Sequence, residues 1–126
     1  MNNMIKVLVD DVNSRSVYET EVDGNSASAL SKIIKCECID VDYHLIDKEE
    51  YTFIVDDEGL LIQKPVPSVV KNFASINVGT TIICKSEGSY FASLSDKDIA
   101  KIRKHIKFLR EDCDNPDKTF PTVFVD

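Results

Sequence analysis

From Tyr51 to Gln63 the chain reads Tyr-Thr-Phe-Ile-Val-Asp-Asp-Glu-Gly-Leu-Leu-Ile-Gln, two apolar runs interrupted by an acidic turn. Asp57 and Gly59 suit a turn that needs a residue with φ above zero, a conformation glycine adopts without a Cβ clash. The spacing predicts a hairpin whose loop has roughly three to five residues, with Gly59 in the left-handed position. The chain is organised around that antiparallel pair.

The flanking segments supply further strands. Ile5 to Val9 is a short β-rich run closed by Asp10-Asp11, and Val17 to Val22 alternates apolar and polar, as a strand pairing back on the first would. After the Asp23-Gly24-Asn25 turn, Ser26 is placed to cap a helix. Ala27, Ala29, Leu30, Ile33 and Ile34 form its buried stripe, and it ends near Lys35. Cys36 to Tyr43 alternates again and predicts a strand, followed by a charged loop from Asp47 to Glu50. Pro65-Val66-Pro67 ends the second hairpin strand, because two prolines do not fit inside a hydrogen-bonded ladder.

Ser68 is expected to cap a short helical turn through Val69, Val70 and Phe73. Ile76-Asn77-Val78-Gly79 opens a β-branched strand over Thr80 to Lys85, and Tyr90 to Leu94 reads as a strand or extended arm. Ser95 and Asp98 match a capping box with Asp in place of Glu, opening a helix expected to run from Asp96 to about Arg110. Ile99, Ile102, Ile106 and Leu109 would face the core from it. Asn115-Pro116 stops the pattern, and Thr119 to Val125 is expected to add an edge strand or cross the body.

These elements predict an α+β fold: a mixed, mainly antiparallel sheet with two helices packed on it and a C-terminal extended arm. At 126 residues the chain is read as a single domain, 1–126, with its core over 4–110 and the arm over 115–126. No apolar run approaches the roughly 20 residues of a membrane span, and the start lacks a signal-peptide pattern, so a cytoplasmic protein is expected.

Charge is unevenly spread around a net −7. Glu37 to Glu58 carries nine carboxylates against the single base Lys48, whereas Lys97, Lys101, Arg103, Lys104, Lys107 and Arg110 crowd the last helix. An acidic chain is a poor general ligand for duplex DNA, but a local basic face can hold a small anion. Cys36, Cys38, Cys84 and Cys113 lack the paired knuckles of a zinc site and read as free thiols, so no metal or cofactor is expected. His44 and His105 have no partner at triad or metal-ligand spacing, and nucleophile, phosphate-loop and dinucleotide motifs are missing. An enzyme is not expected.

Six short segments occur in a suggestive order: Met4-Ile5-Lys6-Val7-Leu8-Val9, Glu21-Val22-Asp23, Asp57-Glu58-Gly59, Pro65-Val66-Pro67, Val78-Gly79-Thr80 and Ser93-Leu94-Ser95-Asp96. Over Met4 to Arg110 they resemble a small domain family of unknown function found in phages and mobile elements of Gram-positive bacteria. The chain departs from that pattern at Lys35-Cys36, where glycines would follow the first helix, and at Val69-Val70-Lys71-Asn72, which has no arginine. The resemblance brings no catalytic residues. It implies a mobile-element setting, a class rich in antagonists of host defence, and a place in the host cytoplasm.

Two surfaces are candidates. Lys97, Lys101, Lys104 and Phe108 recur at helical spacing opposite the core stripe, with His105 among them; a basic row ending in an aromatic can hold phosphate and stack a base. This predicts sequestration of a small nucleotide signal, in a homo-oligomer that builds pockets between subunits. The plain alternative is a solvated helix face, with Phe108 covered by the arm or by a second copy of the chain. Asp40, Asp42, Asp47 and Glu50 define the other surface, where carboxylates on a strand and hairpin could imitate a phosphate backbone and block a host defence or nucleic-acid-binding protein. Surface solubility explains the same carboxylates.

Overall fold

In the computed structural model, residues 3–57, 67–72, 74–110 and 119–126 are described. The hairpin turn and second strand expected over 58–63, Pro65-Val66, Phe73, Cys113 and Asn115-Pro116 lie outside them.

The first hairpin forms as expected from β1 (Met4–Asp11) and β2 (Ser16–Asp23). The first helix, α1 (Ala27–Ile34), begins where Ser26 Oγ accepts from Ala29 N–H and ends at Lys35 in the left-handed region. β3 (Ile39–Ile46) starts later than the alternation suggested and runs further. Only Asp47 and Lys48 form the next turn, both with positive φ, which is the tight two-residue hairpin geometry. Glu49 and Glu50 therefore belong to β4 (Glu49–Asp56), not to a loop.

β4 carries the apolar run that marked the centre of the sequence, but its antiparallel partners are β3 on one side and β7 (Thr81–Glu87) on the other. The order is β2-β1-β7-β4-β3, with the short β8 (Tyr90–Ala92) added to β7. The three inner strands are buried on both faces. Val7, Val9, Ile54 and Ile82 pack with Leu30 and Ile34 of α1, while Leu8, Phe53 and Ile83 face the opposite way into a second core. Strands buried on both sides read as continuous apolar runs, and these do.

That second core is closed by a second sheet, where one was expected. Its order is β6-β5-β10-β9. Ser68 caps no helical turn: β5 (Pro67–Lys71) is a strand, and its β-branched Val69 and Val70 pair in parallel with Val123 and Phe124. The single strand expected around Gly79 is two. β6 (Ala74–Val78) lies in the second sheet and β7 in the first, with Gly79 at φ +80° turning the chain between them.

α2 (Asp96–Lys104) opens on the expected capping box, Ser95 Oγ accepting from Asp98 N–H and Asp98 Oδ2 accepting from Ser95 N–H. It stops at Lys104. Ile106 to Arg110 is instead a strand, β9, paired antiparallel with β10 (Thr119–Val125).

The expected arm is thus neither an arm nor an edge strand: β10 lies inside the second sheet, and Phe120, Val123 and Val125 are buried. The core extends beyond 110 accordingly. Arg15 Nη1 donates to Thr119 O at one end of β10, and Asp126 N–H donates to Leu45 O at the other. Strand β10 thereby spans the first sheet from its β2 side to β3. Seven residues at about 3.3 Å each cover about 23 Å, enough for five strands spaced about 4.8 Å apart.

Candidate functional site

α2 holds Ile99, Ile102 and Asp98 inward, which leaves Lys97, Lys101 and Lys104 on its outer side. Lys97 and Lys104 are exposed. Lys101 is not available as a free cation: its ammonium is hydrogen-bonded and ion-paired to Glu49 of β4. Glu49 also pairs with Lys85 at 2.8 Å, and the two lysines hold its carboxyl down to about 2, Lys101 first. His105, the residue after the helix, sits 3.2 Å from Asp47 Oδ2. Phe108 is on β9, beyond the end of the helix, so it does not continue the Lys97–Lys101–Lys104 row.

Beneath that row is a polar network that periodicity does not reveal. Tyr51, buried on β4, donates to Asp98 Oδ1 at 2.8 Å, and Lys85 reaches the same oxygen at 3.2 Å. The ammonium groups of Lys101 and Lys85 lie 5.3 and 5.8 Å from the Tyr51 ring centroid. Burial raises the Tyr51 hydroxyl, and its bond to Asp98 raises it further, so it remains a donor. Every group here has a partner of opposite character. The network pins α2 to β4 and β7.

The acidic candidates are divided by strand alternation. Asp40 and Asp42 lie on the face of β3 directed to the second sheet, where Asp42 Oδ2 accepts from Asn77 Nδ2 at 2.6 Å. Asn77 Oδ1 is 3.1 Å from His44 Nε2, and the His44 ring meets Phe53 edge-on at 4.8 Å. Glu50 lies opposite Leu45 on the other face, beside the exposed Tyr43 and Leu45, and Asp47 is at the turn. The four do not form one ridge, because successive strand residues point to opposite faces. Among the described residues none of Asp40, Asp42 and Glu50 is ion-paired to a base. Beside Asp40 a cleft of about 110 Å³ is lined by Asp40, Val55, Asp56, Asp57 and Ile76 to Val78.

The sequence over residues 5–107 matches a domain of unknown function, DUF3846. The chain belongs to the DUF3846 family. No curated protein and no solved structure matches it. The family match ends within β9, while β10, which completes the second sheet of this DUF3846 chain, lies past it.

One further group stands out only in the folded chain. Asp10 of β1 is fully buried, and neither carboxyl oxygen has a hydrogen-bond partner. Burial, with a smaller push from Asp11, raises its pKa to about 9. Its cross-strand neighbour Thr81 shares a hydroxyl bond of 2.9 Å with Ser68 of the second sheet. Its only signal in the sequence is the first Asp of the Asp10-Asp11 pair that closes an apolar run, a pattern that also fits the end of an exposed strand.

Proposed function

We propose that this chain is a non-enzymatic binding protein that works by contact with another protein, and that the contact is made from the β3–β4 side. The observation that carries this reading is the contrast in pairing. Lys101 and His105 are already matched to carboxylates, whereas Asp40, Asp42 and Glu50 have no basic partner among the described residues; Glu50 lies beside the exposed Tyr43 and Leu45, and Asp40 and Asp42 lie on the opposite face of β3. A surface combining uncompensated carboxylates with exposed aromatic and aliphatic groups suits a basic protein surface better than a nucleotide. The partner class is a host defence or nucleic-acid-binding protein, and the setting is a mobile genetic element; both rest on the resemblance read in the sequence.

Sequestration of a small nucleotide by Lys97, Lys104 and Phe108 is the second reading. It is supported by the exposure of those three side chains. Native mass spectrometry before and after incubation with a nucleotide-rich bacterial extract separates the two. The contact reading expects an unchanged mass, together with a protein captured from host lysate that is released by raised salt and lost in Asp40→Lys with Glu50→Lys. A discrete added mass that disappears in Lys97→Glu with Lys104→Glu would overturn it.

A further inference from the structure

β9 is an edge of the second sheet, and the direction of its backbone groups follows from one bond. Phe124 N–H donates to His105 O at 2.8 Å, so that pair is hydrogen-bonded and the ladder alternates from there. Lys107 and Leu109 direct their N–H and C=O groups at β10. Ile106, Phe108 and Arg110 direct theirs away, into the open edge. Pro121, which has no N–H, lies opposite Phe108 and fits that phase. Among the described residues nothing pairs with this outward row. At its centre the Phe108 side chain is 54% exposed.

The two eight-residue edges, β2 and β3, are guarded against self-pairing. Gly24 N–H donates to Asn3 O, a phase that turns the backbone of Glu19 and Glu21 outward from β2. Pairing there with a second copy sets carboxylate against carboxylate. On β3, Asp40 Oδ1 accepts from Val41 N–H at 2.8 Å, and Asp126 N–H occupies Leu45 O. Two-fold pairing about Val41 would oppose Asp40 with Asp42, and pairing about Tyr43 would need the Val41 N–H and the Leu45 carbonyl, which are already taken by Asp40 and Asp126. Charged side chains, occupied backbone groups and like charges are the usual ways an edge is kept from associating. β9 has none of them at its centre.

We propose that β9 pairs antiparallel with β9 of a second copy of this chain, about a two-fold axis through Phe108. The two four-stranded sheets then become one continuous sheet. In that register Phe108 meets its own symmetry copy, Ile106 faces Arg110, and Lys107 faces Leu109. No like charges lie directly opposite each other. Every outward N–H and C=O of the three residues gains a partner, and the exposed aromatic is covered. The contact is isologous and closes at two copies. It also brings Lys107 and Arg110 of both copies to one junction, so screening by salt strengthens it.

Sedimentation equilibrium of the full chain over a concentration series tests the pairing. The expected result is a species of twice 14.2 kDa that tightens with added salt. Phe108→Lys should be monomeric at the same concentrations with an unchanged far-ultraviolet spectrum and melting temperature, while Tyr43→Lys on the guarded edge should leave the dimer intact. The register has its own readout. The Cα atoms of the central hydrogen-bonded pair are about 5.5 Å apart, within disulfide range, so Phe108→Cys should cross-link to itself under mild oxidation and Leu109→Cys should not. Mass mapping distinguishes that bridge from the native cysteines. A monomer at every concentration, a dimer that survives Phe108→Lys, or equal cross-linking at position 109 would overturn the proposal.

Discussion

Asp98 and Asp10 are both buried carboxyl groups, and the protein treats them oppositely. Burial acts to raise Asp98, but bonds from the Ser95 backbone and hydroxyl, Tyr51 and Lys85 outweigh it and hold the group at about 2. Asp10 receives no such bonds, and burial carries it to about 9. The first remains an anion and joins a helix to a sheet. The second is a neutral acid at pH 7. Burial alone does not decide the charge of a carboxyl group; the donors around it do.

The largest expected effect comes from removing the partnered group. Asp98→Ala should destabilise the fold by about 3–5 kcal/mol, because Lys85 loses a counter-charge, the Tyr51 hydroxyl loses the nearer of its two acceptors and the capping box is broken. Urea unfolding measures this. A loss under 1 kcal/mol by the surface standard of about 0–1 kcal/mol would mean that the network is no more than an exposed ion pair.

The unpartnered group should behave in the reverse sense. Unfolding lets Asp10 ionise near its ordinary 3.8, whereas folded it ionises near 9. Between those values the unfolded chain binds fewer protons, so stability falls as pH rises, by about 1.4 kcal/mol per unit. Asp10→Asn removes this term and should stabilise the fold by about 4 kcal/mol at pH 7. Its unfolding free energy should also lose the decline between pH 4 and 9. A variant less stable than the parent would show that a donor holds the folded Asp10 carboxylate.

On the acid side Asp98 sets the slope. Its folded pKa is depressed, so its contribution of about 2 kcal/mol is present above the ordinary 3.8 and is lost as pH falls toward about 2. Together the two groups predict a stability maximum in mild acid, near pH 4–5, that moves upward in Asp10→Asn. Asn77→Ala, which leaves Asp42 without a donor, should cost about 1–3 kcal/mol. Lys97→Ala should lie within about 0.5 kcal/mol of the parent, as a change at an exposed side chain.

Local signals were read correctly where one stretch of chain satisfies itself. The β1–β2 hairpin, the Ser26 cap of α1 and the Ser95–Asp98 capping box all depend on neighbours a few residues away. The same reading placed α2 through to Arg110 because Ile99, Ile102, Ile106 and Leu109 fit one helical stripe. It could not see that β10 offers Ile106 to Arg110 a ladder of hydrogen bonds, and tertiary pairing overrides so modest a preference. The nucleotide row shared that error, since Phe108 left the helix with β9. Alternation along a strand puts Asp40 and Asp42 on one face, but the division of Glu50 from them depends on the β3–β4 register.

The sequence by itself determined that this is a strand-rich α+β domain with two capped helices and opposed acidic and basic segments, because periodicity, caps and charge are local properties. Only the tertiary structure decided that there are two sheets rather than one, that Thr119 to Val125 completes the inner one, and that Glu49 neutralises Lys101. It alone also decided that Asp98 is an anion and Asp10 is not. These depend on residues distant in sequence meeting in a medium poor in water, where each missing or added donor weighs far more than it does in the open chain.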